Sequence, residues 1–288
     1  MARIAFIGLG VMGAPIAGHL AAAGHELSVY NRSPEKAAAW VAAHGGRQAE
    51  TPAAAAAEAE AVIACVGANV DVEEVTLGPT GAFEAMAEGA LFIDHTTVSA
   101  RLARRLAEEA EIRGLHCVDA PVSGGQAGAE KGTLAIMCGG SDAAVGAGRP
   151  LMEAYAGRIV HVGPAGHGQL TKMVNQICIA GVVQGLAEAI HFARVAGLDT
   201  DRVFEAVSGG AAQSWQMVNR WATMSRGEFD FGFAVDWMRK DLGLTLEESR
   251  ANGARLPLTA LVDQFYADLQ AIGAGRQDTS SLIRRLER

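Results

Sequence analysis

Lys172 and Asn175 stand three residues apart in Gly166-His-Gly168-Gln-Leu-Thr-Lys172-Met-Val-Asn175, at the head of a long apolar stretch. On a helix that spacing puts both on one face, so an amine and an amide project together from an otherwise apolar first turn. An amine held there can exchange a proton with a neighbouring oxygen if burial and nearby cations bring its pKa down towards neutrality. The bland alternative is a lysine snorkelling at a helix end. A second segment, Asp119-Ala-Pro-Val-Ser123-Gly124-Gly125, is a glycine turn behind a short strand pattern. Its backbone N–H groups and the Ser123 hydroxyl suit a small carboxylate, although an ordinary β-turn would look the same. A third, Arg239-Lys240-Asp241-Leu242-Gly243, puts a further cation in a predicted helix, where a solvated charged face is the competing reading.

The chain opens on a phosphate-binding pattern. Ile4–Ile7 is an apolar strand that breaks into Gly8-Leu9-Gly10-Val11-Met12-Gly13, and an amphipathic stretch follows through Ile16, Leu20 and Ala23. Gly8 permits the sharp turn, Gly10 lets backbone approach a pyrophosphate, and Gly13 permits close helix–strand packing, with the phosphates on the positive end of the helix. The strand before and the helix after supply the context that a bare glycine pattern lacks. The next strand ends Val29-Tyr30-Asn31-Arg32-Ser33. NAD-type sites carry Asp or Glu about here, on the ribose 2′-hydroxyl. Asn31 and Arg32 stand there instead, with no carboxylate to repel a 2′-phosphate and a guanidinium whose planar fork matches one. NADP(H) is therefore preferred and NAD(H) possible, unless Arg32 is simply a solvated arginine in a turn. Ser33 adds a hydroxyl, and Ser33-Pro34-Glu35 reads as a helix start.

The elements that must position these residues fall into two sets. Strand and helix patterns alternate first: strands at Ile4–Ile7, Leu27–Tyr30, Ala61–Val66, Leu91–Asp94, His116–Val118, Leu134–Cys138 and Ile159–His161, and helices at Pro34–His44 and Arg101–Arg113. Ala53–Ala57 also reads as helix. Repeated βαβ units mean a doubly wound parallel sheet with right-handed crossovers. The pattern changes at Gly163-Pro164-Ala165-Gly166-His167-Gly168. Beyond it Gln169 to Ala196 reads as one helix of ~28 residues, near ~40 Å long, ending at Gly197. Helices follow at Thr200–Ser208 (capped by Asp199 or Thr200), Trp215–Met224, Ala234–Asn252 and Leu258–Ala271. The expected fold is α/β: a Rossmann-type NADP-binding domain over residues 1–163, then an all-α domain over 164–288 for substrate and oligomerisation.

Composition limits the partners. Half of the 288 residues are hydrophobic, 19% are charged and the net charge is −8. With no basic block or basic–aromatic stripe, nucleic acid is excluded as an expected partner. Cys65, Cys117, Cys138 and Cys178 are far apart in apolar stretches, with no CxxC. They read as buried reduced thiols of a cytoplasmic protein. No metal site is supported. The apolar N-terminus is better explained by its glycine turn than by a secretory signal. The best candidate for a membrane span, Ile177 to Ala193, is broken by Gln184, Glu188 and His191, so no membrane association is expected.

GLGVMG, DAPVSGG, the Gly166–Asn175 segment and KDLG occur in this order over essentially the whole chain. Together they resemble the β-hydroxyacid dehydrogenase family, which includes 3-hydroxyisobutyrate dehydrogenase, tartronate semialdehyde reductase and the glyoxylate/succinic semialdehyde reductases. The asparagine at Lys+3 also occurs in that family. The resemblance implies Lys172 as catalytic general acid/base, Asn175 as a substrate ligand that holds the lysine, and Ser123, Gly124 and Gly125 on the substrate carboxylate. It implies Lys240 over cofactor and substrate, Thr97 on the nicotinamide ribose and Val66 along the cofactor. Val66-Gly67 replaces a family Leu-Pro pair, which puts the shape of that loop in question. 6-Phosphogluconate dehydrogenase shares the architecture but has a much larger substrate domain.

The expected activity is NADP(H)-dependent interconversion of a small carboxylic semialdehyde and its hydroxy acid. The alternatives are an NAD-dependent 3-hydroxyisobutyrate or serine-type dehydrogenase and, outside the enzymes, an NADP-binding sensor. A homodimer or homotetramer is expected. Trp215, Phe231, Phe233, Trp237 and Met238 are possible pocket residues that read more simply as core.

Overall fold

The computed structural model of the chain describes residues 1–287. The first of its two units ends at Lys172 and the second begins at Met173. In the first, the elements run β1 (Arg3–Ile7), α1 (Gly13–Ala22), β2 (Glu26–Tyr30), α2 (Pro34–His44), β3 (Arg47–Gln48), α3 (Pro52–Ala56), β4 (Ala61–Ala64) and α4 (Asn69–Leu77). They continue with β5 (Leu91–Asp94), α5 (Ala100–Ile112), β6 (His116–Asp119), β7 (Val122–Ser123), α6 (Gly125–Lys131), β8 (Leu134–Gly140), α7 (Asp142–Met152) and β9 (Ala156–Gly163).

The inner strands β1, β4 and β5 are almost wholly apolar because helices cover both faces of their sheet. Ile4 and Phe6 of β1 enter a core with Ile16 and Leu20 of α1 and Trp40 of α2. Ala5 and Ile7 enter another with Val72 of α4 and Leu102 and Leu106 of α5. The order β3-β2-β1-β4-β5-β6 is parallel. Because β1 lies between β2 and β4, successive crossovers diverge there and open a crevice at the carboxyl ends of the strands.

The doubly wound parallel sheet carries an antiparallel step at its far end. β6 and β7 both run antiparallel to β8, while β9 runs parallel to it. The pairs Asp119↔Gly139 and Val122↔Ile136 share one register, so β6 and β7 form one ladder interrupted at Ala120-Pro121. Proline has no N–H to give, and Pro121 takes part only as an acceptor from the Met137 N–H. This interrupted strand carries the Asp119–Gly125 segment.

α8 (His167–Val195) begins in the first unit and continues into the second, followed by α9 (Thr200–Val207), α10 (Trp215–Arg226), α11 (Val235–Asn252) and α12 (Pro257–Ala271). The Gly197 N–H bonds the Arg194 carbonyl and the Leu198 N–H the Ala193 carbonyl, which stops α8 at the glycine. Asp199, not Thr200, caps α9. Ala180, Val183, Leu186, Ala187 and Ile190 of α8 form the helical core with Trp221 of α10, Met238 of α11 and Tyr266 of α12.

Two sequence expectations change here. By length and composition alone α8 would be able to cross a membrane; Gln184, Glu188 and His191 do not prevent that. Its apolar face is, however, the core of its own unit. The four cysteines are free, but only Cys138 is buried, and Cys178 is exposed on α8.

Candidate active site

The glycine loop is shaped by close backbone approach. Gly8 sits at φ +99°, and a Cβ on it would lie 2.3 Å from the Cys65 carbonyl oxygen. A Cβ on Gly13 would lie 1.9 Å from the Gly8 carbonyl oxygen. Gly10 is the opposite case, with nothing within 4 Å of where its Cβ would be. The first N–H groups of a helix have no intrahelical partner. An open Gly10 at the start of α1, beside the β1–β4 crevice, therefore fits a dinucleotide pyrophosphate. Leu9 is buried, Met12 half-buried and Val11 exposed. The Leu9 N–H donates to Asn31 Oδ1 (2.9 Å), and Asn31 Nδ2 donates to the Ser33 carbonyl (3.0 Å). The Asn31 amide thus ties the glycine loop to the end of β2.

Arg32 is not alone. Its Nη1 lies 2.8 Å from Asp71 Oδ1, and Asp71 Oδ2 accepts the Ala68 N–H (3.0 Å) at the start of α4. The expectation of no carboxylate beside Arg32 is thereby overturned. The acid comes from another crossover, 39 residues along the chain. Ser33 is the N-cap residue of α2, without a side-chain cap bond. β4 ends at Ala64, two residues before the strand was expected to stop, so Val66 lies in the following loop. The Val66 N–H donates to Thr96 Oγ1 (3.0 Å), which joins that loop to the one carrying Thr97.

The first turn of α8 is stapled to two of these loops. Asp119 Oδ1 accepts the Gly166 N–H (2.7 Å) and Oδ2 the Gln169 N–H (2.9 Å). The buried Gln169 accepts the Val98 N–H at Oε1 (3.0 Å) and donates from Nε2 to the Thr96 carbonyl (2.8 Å). One turn on, Lys172 is only 8% exposed, and its Nζ donates to the Val122 carbonyl (2.9 Å). The lysine amine is thus brought to the segment carrying Ser123, Gly124 and Gly125. Ser123 is half-buried in β7, Gly124 sits at φ +131°, and Gly125 opens α6.

Asn175 and Lys240 belong to the helical unit. Asn175 Nδ2 donates to Gln176 Oε1 (2.8 Å), and Gln176 Nε2 donates to Asp241 Oδ2 (2.7 Å). Lys240 Nζ lies 3.2 Å from Asp241 Oδ1 and 5.7 Å from the Trp237 ring centroid. A buried amide–carboxylate pair therefore links the two polar residues. Of the aromatics read as core, Trp215, Phe231 and Trp237 are exposed. The Arg220 guanidinium stacks on Trp215 and Phe231 at 5.1 and 5.0 Å, and pairs with the buried Asp278 at 3.1 Å. The sequence gives no sign of what Asp71, Thr96, Asp119 and Gln169 hold in place. A polar residue's burial and partners leave no periodic signal.

Asp119 and His95 are among the buried groups whose pKa values are displaced. Burial pushes the Asp119 carboxyl up to about 6, partly opposed by the N–H bonds from Gly166 and Gln169. Burial holds His95 down at about 4, although its bond to the Ala120 carbonyl favours the charged form. With Nδ1 2.6 Å from that carbonyl and Nε2 2.8 Å from the Tyr155 hydroxyl, the network assigns a neutral ring: Nδ1 donates and Nε2 accepts.

These shifts give opposite pH dependences. The folded His95 value lies below its ordinary 6.5, so its contribution is present above pH 6.5 and is lost as pH falls towards 4. The folded Asp119 value lies above its ordinary 3.8, so its contribution is present below pH 3.8 and is lost as pH rises through 6. The His95 shift corresponds to about 3 kcal/mol. The destabilisation caused by His95→Gln should therefore shrink by about that amount between pH 6.5 and 4. Denaturant titrations of both proteins across this range check it; a constant difference would refute it.

The family described as the NAD-binding domain of 6-phosphogluconate dehydrogenase matches residues 3–163. The family described as NAD-binding of NADP-dependent 3-hydroxyisobutyrate dehydrogenase matches residues 166–286. The chain is 56% identical to an uncharacterized oxidoreductase of Shewanella frigidimarina, covering 100% of this chain and 99% of that one. It is 35% identical to the 2-hydroxy-3-oxopropionate reductase of Escherichia coli, covering 99% and 97%. Among solved structures, 3-hydroxyisobutyrate dehydrogenase of Mycobacterium tuberculosis with L-serine aligns over 100% of both chains, at a TM-score of 0.89 and 35% identity. The chain belongs to the β-hydroxyacid dehydrogenase family, NAD(P)-dependent oxidoreductases acting on the CH–OH group of small hydroxy acids.

Proposed function

We propose that this protein is an NADP(H)-dependent reductase of small carboxylic semialdehydes that also oxidises the matching hydroxy acids. The observation that carries the reading is the buried Lys172 amine, 2.9 Å from the Val122 carbonyl and one residue from Ser123. Glyoxylate and the succinic, methylmalonate and tartronate semialdehydes are the candidate substrates. A bound nicotinamide cofactor supplies the hydride to the aldehyde carbon. Gly8 to Gly13 hold its pyrophosphate, Arg32 and Ser33 its 2′-phosphate, Thr97 its ribose, and Val66 lies along it.

The Ser123 hydroxyl and the N–H groups of Gly124 and Gly125 take the substrate carboxylate, which leaves the carbonyl oxygen for Lys172. Lys172 donates a proton from Nζ to that oxygen as the hydride reaches carbon, and takes one from the hydroxyl in the reverse direction. Asn175 would serve the substrate and Lys240 the cofactor, the roles that the family resemblance implies for them. The helical unit supplies the interface of a homodimer or homotetramer, and the protein works in the cytoplasm without a membrane or nucleic-acid partner.

Initial rates with NADPH and NADH against a panel of these semialdehydes, and with NADP⁺ and NAD⁺ against the matching hydroxy acids, test the proposal. A preference for NADPH with one semialdehyde standing out is the expected result. Equal or better rates with NADH would move the reading to an NAD-linked 3-hydroxyisobutyrate or serine-type dehydrogenase, which the carboxylate beside Arg32 favours. Absence of turnover across the panel, with tight NADPH binding, would point to a sensor.

A further inference from the structure

We propose that Asp71 sets the cofactor preference of this enzyme by offsetting the charge of Arg32. The inference rests on the reading of Arg32 as the 2′-phosphate ligand. Asp71 uses its two oxygens differently. Oδ2 accepts the Ala68 N–H (3.0 Å) and caps α4, which fixes the carboxylate in place. Oδ1 is 2.8 Å from Arg32 Nη1.

The Arg32 side chain is 80% exposed, and an ion pair in that setting contributes little to folding stability. Its consequence is local. The guanidinium that would receive a phosphate already shares its charge with a fixed anion. A phosphate placed on Arg32 approaches Asp71 as well, and the two anions repel. An unphosphorylated ribose meets no such penalty, and a carboxylate near its hydroxyls is the arrangement that NAD-type sites use. Asp71 therefore lowers the affinity for NADP(H) relative to NAD(H), holding the preference below what Arg32 alone would confer.

Asp71→Asn removes the charge and keeps an amide oxygen for the Ala68 N–H. Equilibrium binding of NADP⁺ and NAD⁺ by titration calorimetry, on wild type, Asp71→Asn and Arg32→Gln, tests the inference. The quantity read is the ratio of the two dissociation constants, in which any general damage to the fold cancels. The expected result is an NADP⁺/NAD⁺ ratio lowered on the order of 3- to 10-fold by Asp71→Asn, the effect of one unit charge at close range in a largely aqueous setting. Arg32→Gln should raise the ratio. An unchanged or raised ratio in Asp71→Asn, with Arg32→Gln raising it, overturns the inference and leaves the reading of Arg32 standing. No change with Arg32→Gln overturns that reading, and the inference with it.

Discussion

Lys172→Ala is expected to lower kcat for semialdehyde reduction by about 10²- to 10⁴-fold, the range for loss of a positioned general acid. NADPH affinity should stay within a few-fold of wild type, because no residue of the glycine loop is touched. The amine is buried and donates to the Val122 carbonyl, so its removal leaves that oxygen unpaired, at a cost of about 1–3 kcal/mol. Lys172→Met leaves the same oxygen unpaired but fills more of the space, which separates the cavity from the proton-transfer loss. Both variants should be slow while only the alanine leaves a cavity. Steady-state kinetics with an NADPH titration checks this, and near-normal turnover in either variant rules out Lys172 as the proton donor.

Asp119→Asn should be the next most damaging change. The carboxylate accepts N–H groups from both Gly166 and Gln169. An asparagine keeps one acceptor and turns an NH₂ towards a donor. Losing one bond to a charged acceptor costs about 1.5–3 kcal/mol, which thermal unfolding would register. The effect on catalysis should be larger. The next turn of α8 carries Lys172, and a displacement of about 1 Å at a reacting group can cost ~10²-fold. We expect kcat to fall roughly 10- to 100-fold with a smaller change in KM. Added to Lys172→Ala, Asp119→Asn should cost almost nothing more in kcat, because a residue that acts through the lysine has nothing left to position. Independent, multiplicative losses would mean that Asp119 acts elsewhere.

The parts of the fold that were legible are those with a local cause. α2 and β5 fall at Pro34–His44 and Leu91–Asp94, as the apolar pattern and the Ser-Pro start indicate. α8 was readable because its long apolar helical spacing runs on past Gly181 and Gly185 to Gly197. Three helices were missed. α6 and α7 hold glycines, α7 also holds Pro150, and α4 holds Val70, Val72, Val75 and Thr76. Such residues give little helix propensity. Short helices of this kind persist through capping, as with Ser141 on the Ala144 N–H, and through packing. β3 is two exposed residues held by pairing with β2, which no run of side chains announces. The reversal of β8 against β6 and β7 was also invisible, since apolar strands look alike whichever way their neighbours run.

The candidate site divides in the same way. The sequence by itself determined the glycine loop, the shared helical face of Lys172 and Asn175, and the turn at Ser123-Gly124-Gly125, because each depends on residues a few positions apart. Only the tertiary structure decided what holds them. It set Asp119 on the start of α8, Gln169 between Thr96 and Val98, the Lys172 amine on the Val122 carbonyl, and Asp71 against Arg32. These partners are 39 to 73 residues apart. Periodicity reports how a segment folds and which face it buries. It does not encode which distant backbone group a buried carboxylate, amide or amine will meet, because that is settled by the order of the strands and the path of the crossovers between them.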